Sequence, residues 1–380
     1  MSRTIRYFAT NRDRQKLGRA FDDAERIKLQ RSGYHWIDTE ICMAQYLGST
    51  DPSSLPIEAV IAEAQREDLK RFLAKPCIRT VVIGIHGFNV PLHGAITSFS
   101  LLAELLQQQL AQQGHSLLMG PPDPQHPIDE SRDHMAFIGF SWPSDGSVLA
   151  YQSDRNEATQ STAALANMIA TIRTVNPGTG IALIAHSMGN YLTCNMLASL
   201  LNEESWPKQA LSGDDAGRRL TGRLSRRKDN GAESFVDQYI MLAPDVERRE
   251  VTQCPNVQVG SRRLHYNGPF YGGLKHLVGH THLFYSRHDS ALQASVLEKE
   301  ALREPIEKLK QRLTGPELTK RWESSLGLNP LPSLAPPNMT GYNATRLTNR
   351  SIDHGDYFDA PAIISTIADL LLQPPITTWI

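Results

Sequence analysis

A fold of the α/β class, a mainly parallel sheet with helices on both faces, is predicted by three observations. The runs at 81–85, 135–140, 181–185, 239–242 and 283–285 are apolar without polar alternation, as strands covered on both faces are. Helical spacing of apolar residues follows several of them, at 95–113, 158–175 and 188–201, and strands alternating with helices imply right-handed βαβ units. The third is residues 180–191, Gly-Ile-Ala-Leu-Ile-Ala-His-Ser-Met-Gly-Asn-Tyr, an apolar run that passes straight into a helical pattern through a serine between small residues. Ligands of such sheets bind beyond the carboxyl ends of the strands, where Ser187 falls.

The remaining elements follow in order. Residues 5–10 and 39–43 are short apolar and aromatic runs suited to edge strands, with a charged, irregular segment between them. Residues 56–74 carry Ile57, Val60, Ile61, Ala64, Leu69 and Phe72 at helical spacing, with Ser53 or Ser54 as start signal and Pro76 as stop. Two stretches interrupt the alternation. Residues 212–233 are polar and basic, a solvated excursion with an anion or phospholipid head-group contact as the sharper alternative. Residues 290–338 hold an amphipathic helix over 295–313, then Trp322 and a proline-rich loop through Pro330, Pro332, Pro336 and Pro337, a stretch able to form a lid or pocket wall. A final helix is expected over 360–372. The organisation expected is one domain over 1–380 with insertions at about 204–234 and 290–338.

Composition excludes little but is consistent. The chain has 380 residues, 40% hydrophobic and 21% charged, which suits a soluble enzyme, and a net charge of −1 gives no global reason to expect nucleic acid or an anionic membrane as partner. Cys42, Cys77, Cys194 and Cys254 are scattered and form no Cys-x-x-Cys pair. Without an apolar run of signal-peptide or membrane-spanning length, a cytoplasmic location is expected, with signal-independent export left open.

The chemistry centres on Ser187. A serine at the apex of a strand-to-helix turn needs small neighbours where strand and helix nearly touch, and Ala185 and Gly189 supply them, Ala185 replacing the more usual glycine. An acyl-transfer serine also needs a base and a carboxylate that holds the base in the right tautomer, and in α/β-hydrolase order both follow it, acid before histidine. Asp289, just past a strand end, and His354, in a loop before the final helix, come in that order. Asp245, at the end of the preceding strand, is the alternative acid. Asp353 and Asp356 stand too near His354 in sequence to orient it, and His186 is read as a packing or loop-bonding histidine. The oxyanion hole needs two backbone N–H groups, and those of Met188, directly after the serine, and Phe88, after His86-Gly87 at a strand end, are the candidates. His86 and Trp142 are pocket candidates, with a loop-shaping role as the alternative for Trp142 and Pro143. Tyr151 and Asp154 are expected to brace the following helix.

Taken together, Tyr7-Phe-Ala-Thr-Asn-Arg12, His86-Gly-Phe-Asn89, Phe140-Ser-Trp-Pro-Ser144 with Tyr151 and Asp154, Ala185-His-Ser-Met-Gly-Asn190, Ala243-Pro-Asp245 and Tyr285-Ser-Arg-His-Asp289 resemble a bacterial family of α/β hydrolases catalogued as a domain of unknown function. The likeness extends from the N-terminal strand to about Leu292, so His354 rests on fold order. The resemblance implies a serine-hydrolase fold and leaves the substrate open.

The expected activity is cofactor-independent hydrolysis of a small-molecule or lipid carboxylic ester, failing below about pH 6 to 6.5 where a histidine base takes up its proton. An acyltransferase, thioesterase or lipid-directed esterase keeps the same triad, and a non-catalytic binding scaffold keeps only the fold. No metal is expected: His276, His280 and His282 are spaced for a shared ion, but no carboxylate or cysteine completes the set and Gly279 disfavours a helix. Asn338-Met-Thr340 and Asn343-Ala-Thr345 match a glycosylation pattern.

Overall fold

The computed structural model of the protein describes residues 4–12, 33–48, 63–121, 127–144, 151–201, 234–259, 262–303 and 324–373. Its strands are β1 (Tyr7–Thr10), β2 (His35–Asp38), β3 (Ile78–Ile85), β4 (Ser116–Leu118), β5 (His134–Ser141), β6 (Gly180–His186), β7 (Val236–Leu242), β8 (Gln253–Val259), β9 (Arg262–Asn267), β10 (Val278–Tyr285) and β11 (Met339–Asn343). Its α-helices are α1 (Thr39–Gly48), α2 (Glu63–Leu73), α3 (Leu92–Gln112), α4 (Tyr151–Gln160), α5 (Thr162–Val175), α6 (Met188–Leu201), α7 (Tyr271–Leu277), α8 (Ser290–Arg303), α9 (Ala344–Thr348) and α10 (Pro361–Leu371).

The main sheet runs β11-β10-β7-β6-β3-β5-β1-β2, with β4 also paired to β5, while β8 and β9 form a separate hairpin. All its pairs are parallel except β1 with β2. Successive side chains on a strand point to opposite faces. Ile83, Leu183 and Met241 therefore join Leu165, Ile169 and Leu192 of α5 and α6 on one side, while Val82, Ile184 and Ile240 join Phe99, Leu102 and Ile363 of α3 and α10 on the other. Both faces are dry, which is why the central strands are unbroken apolar runs in the sequence.

Some expectations change. Residues 39–43 are helical: the strand lies just before, at β2, and Asp38 Oδ1 accepts the Glu40 N–H at 2.9 Å, turning the chain into α1. The single helix over 158–175 is two, α4 and α5, separated at Ser161. That side chain is buried, donates to the Glu157 carbonyl at 2.8 Å and accepts from Asn11 Nδ2 at 2.8 Å. The stretch 290–338 begins with α8, which starts five residues earlier than expected, and its later part is packed rather than open: Leu326 is fully buried, and its N–H bonds the Val246 carbonyl at 2.8 Å. The start of the helix expected over 56–74, the basic stretch 212–233 and Trp322 lie outside the described residues.

Candidate active site

The turn from β6 to α6 places Ser187 with φ +52°, a left-handed conformation uncommon outside glycine. Neighbouring backbone holds it there. The Ser187 N–H bonds the Leu242 carbonyl at 3.0 Å, and the Ser187 carbonyl accepts from the N–H groups of Asn190 at 3.0 Å and Asp245 at 3.1 Å. Asn190 completes the clamp through Nδ2, which donates to the carbonyls of Ala185, Ser187 and Leu242, while its Oδ1 accepts from the Tyr239 hydroxyl at 2.9 Å. This role of Asn190 was not foreseen, although its place in the turn motif is a signal for it.

The flanking glycines have a steric reason. A Cβ on Gly189 would lie 2.5 Å from the His86 carbonyl oxygen, and one on Gly87 would lie 2.7 Å from Ser187 Cβ. The loop after β3 is thus pressed against the serine turn. His86, 2% exposed, accepts the Trp142 N–H at Nε2 (3.1 Å), so the assigned proton is on Nδ1, which donates to the Gly87 carbonyl at 2.8 Å. Carbonyl and N–H point opposite ways across a trans peptide, so this bond sets the direction of the Phe88 N–H. Burial, then the nearby Arg12 guanidinium, lowers the His86 pKa to about 3. Arg12 is itself fully buried and ties the loops together, bonding Ser141 Oγ at 3.1 Å and the Val90 carbonyl at 2.8 Å. Met188, the other oxyanion candidate, is the first residue of α6 and buried.

Asp289 and His354 meet. His354 Nδ1 lies 3.0 and 2.9 Å from the two Asp289 carboxylate oxygens. Because a carboxylate only accepts, Nδ1 carries the hydrogen of this contact, and Nε2 takes no part in it. Asp289 is fully buried, and Oδ1 also accepts the Leu292 N–H at 2.9 Å, so the same carboxylate starts α8. Two further residues bring the His354 loop to this strand end. Ser286 Oγ donates to the Ile352 carbonyl at 2.7 Å, and Asp353 Oδ1 accepts from the Ser290 N–H and hydroxyl, each at 2.8 Å. Asp356 accepts the Asp353 N–H at 2.9 Å. Neither acid is placed as the partner of the His354 ring.

His186 is the loop-bonding histidine that its neighbours suggest. Its Nε2 lies 2.9 Å from the His354 carbonyl oxygen and its ring packs on the His354 ring at 4.5 Å. Burial, then the adjacent His354, holds its pKa well below the ordinary histidine value. Asp245 serves elsewhere, accepting from the Tyr151 hydroxyl at 2.7 Å and the Ser295 hydroxyl at 2.8 Å. Asp154 accepts the Ser144 hydroxyl at 2.6 Å.

Beside Ser187 lies a cavity of about 310 Å³, reached by His86, Gly87 and His186. Trp142, expected as a pocket candidate, does not line it. Its indole is fully buried, stacks on the His86 ring at 5.2 Å and donates to the His86 carbonyl at 2.8 Å, so its role is to support the loop.

The histidine cluster outside this region has ordinary partners: His280 Nε2 pairs with Thr340 at 3.0 Å and His282 Nε2 with Gln238 at 2.8 Å. Among the described residues no group of three or more His, Cys, Asp or Glu could hold a metal ion. Asn338 is 1% exposed and donates to the Leu274 and Val278 carbonyls, and Asn343 caps α9. No helix among the described residues is long and apolar enough to cross a membrane.

A mainly parallel sheet covered on both faces, with a tight serine turn at the end of a central strand and, packed on the neighbouring His186, a histidine paired with a carboxylate from later connections, has the architecture of an α/β hydrolase. The chain belongs to the family described as alpha/beta hydrolase of unknown function (DUF900), whose model matches residues 61–350. It is 53% identical over 372 residues to the uncharacterized protein alr1448 of Nostoc sp. (strain PCC 7120), covering 97% of this chain and 94% of that protein. Among solved structures, Aspergillus fumigatus lipase B aligns over 80% of this chain at 13% identity with a TM-score of 0.38. The chain spans 55% of the length of that lipase chain.

Proposed function

We infer that the protein is a serine-dependent carboxylic-ester hydrolase. The observation that carries this reading is the Asp289–His354 contact, 2.9 Å from carboxylate to Nδ1, formed between segments 65 residues apart in sequence and turning Nδ1, not Nε2, toward the carboxylate. Ser187 Oγ attacks the ester carbonyl carbon as His354 Nε2 takes its proton, and the N–H groups of Phe88 and Met188 receive the charge that develops on the carbonyl oxygen. Collapse breaks the bond to the alkoxy group, which leaves as alcohol with the proton from His354. Water then adds to the acyl-enzyme by the same route, releasing the acid and restoring Ser187. Asp289 orients the imidazole and stabilises its charged form throughout. His86 acts one step back, by fixing the Gly87–Phe88 peptide.

Labelling by a fluorophosphonate probe tests the reading. The wild-type protein should be labelled and Ser187→Ala should not. A folded wild-type protein that takes no label would instead support a binding scaffold.

A further inference from the structure

The cavity beside Ser187 carries information about the substrate. Its lining joins the site at Gly87, whose absent Cβ would touch the serine, and at His186, which precedes it in the chain. Away from that junction the lining is apolar, with Val90 from the loop after β3, Ala95 and Phe99 from α3, and Phe358 from the turn following His354. The Phe99 and Phe358 rings meet edge to face at 5.3 Å, and Phe358 also packs against His186 at 4.9 Å. The surface that the cavity offers is therefore shared between the loop after β3 and the loop that follows His354, the two segments that flank Ser187 through Gly87 and His186. Its polarity is low. The imidazoles of His86 and His186 are buried and held in the neutral form, which leaves Asp359 as the one acidic residue of the lining. A carboxylate on the lining disfavours an anionic tail, and the aromatic and aliphatic walls gain nothing from a polar one.

We propose that this cavity holds an uncharged hydrocarbon chain of the ester substrate, with room for on the order of ten carbon atoms by the roughly 30 Å³ that a water-sized group occupies in a liquid. The proposal rests on Ser187 being the nucleophile of an ester hydrolase. A chain on either side of the ester bond meets the same chemistry, so the experiment distinguishes the acyl group from the alcohol.

Two substrate series separate them: p-nitrophenyl esters of graded acyl length, and acetate esters of alcohols of graded length. In wild-type protein kcat/KM should rise about fourfold per added methylene in one series, the gain expected for each methylene taken out of water, and then level off once the cavity is full. The series that rises identifies the side of the ester that enters. Ser98 also lines the cavity, on α3, and has no part in the proposed chemistry. Ser98→Phe should move the plateau to chains shorter by several carbons, and Ser98→Leu should move it the same way by less, so that one variant serves if the other folds poorly. Labelling of Ser187 by a fluorophosphonate whose alkyl groups are too short to enter the cavity should be retained in both. Two flat series, or a plateau that neither variant moves, overturns the proposal while the labelled serine still stands. Loss of labelling in the wild type defeats the hydrolase reading itself, and the two failures are read separately.

Discussion

Asp245 and Asp289 stand just past the ends of adjacent parallel strands, β7 and β10, which are in register through Leu242 and Phe284. Both carboxylates are buried, at 3% and 0% exposure. They differ in what faces them. Asp245 accepts from the hydroxyls of Tyr151 and Ser295, groups that hold their protons near neutral pH, whereas Asp289 accepts from the His354 ring, which can gain a charge and give it back. A buried carboxylate must be satisfied, and either set of partners achieves that. Only the second set is able to couple its carboxylate to proton transfer, the role proposed for Asp289. The role of a strand-end acid is decided by the later segment that reaches it, here the loop pinned by Ser286 and Asp353.

The comparison can be broken by substitution. The largest effect is expected at the nucleophile, where Ser187→Ala should lower kcat by about 10⁴- to 10⁶-fold in ester hydrolysis. Asp289→Asn should follow at about 10⁴-fold, since an amide stabilises the wrong tautomer of its histidine, with the circular dichroism spectrum retained. Asp245→Asn should change kcat by less than tenfold yet lower stability by about 1–3 kcal/mol in urea denaturation, because Tyr151 and Ser295 then face an amide donor. A reversed order for the two aspartates would exchange their roles.

Acid should act on stability through two buried histidines, one after β3 and one within β10. Burial, with Arg12 nearby, holds His86 to about 3, and burial holds His282 to about 3, with His280 adding a smaller push in the same direction. In the unfolded chain such groups titrate near 6.5, so between these values the unfolded state binds more protons. The stability they contribute is complete above about pH 6.5 and is lost as pH falls toward 3, by about 1.4 kcal/mol per pH unit for each histidine. Urea midpoints at pH 7 and pH 5 measure the drop. His282→Gln should make it shallower by one histidine's share and leave ester turnover at pH 7 unchanged.

The central strands were legible in the sequence because burial on both faces leaves no polar residue to interrupt them. The turn at Ser187 was legible for a steric reason, since a Cβ at Gly189 would strike the His86 carbonyl oxygen. The edges were not. β11 exposes Thr340 and Gly341, so Met-Thr-Gly-Tyr-Asn carries too little apolar pattern to read as a strand, although it pairs with β10 along five residues. The break at Ser161 depends on Asn11, 150 positions away, and no local pattern encodes it. In the candidate site, chain order pointed to Asp289 and His354, whereas Ser286 acts on a loop 66 positions away and Asn190 joins its own turn to Leu242 and Tyr239 of β7. Trp142 was placed by its neighbourhood and not by its burial, which explains its displacement from the cavity wall.

The conformation of Ser187 also sets fold robustness against reactivity. A left-handed backbone costs a residue with a Cβ about 1–2 kcal/mol, and glycine escapes that cost while losing about 0.5–1 kcal/mol to its freer unfolded chain. Of the two proteins that lack the hydroxyl, Ser187→Gly should therefore outlast Ser187→Ala in urea by up to about 1.5 kcal/mol. The sturdiest version of this molecule has no side chain at 187, and its hydroxyl is kept where the backbone would be more at ease without it.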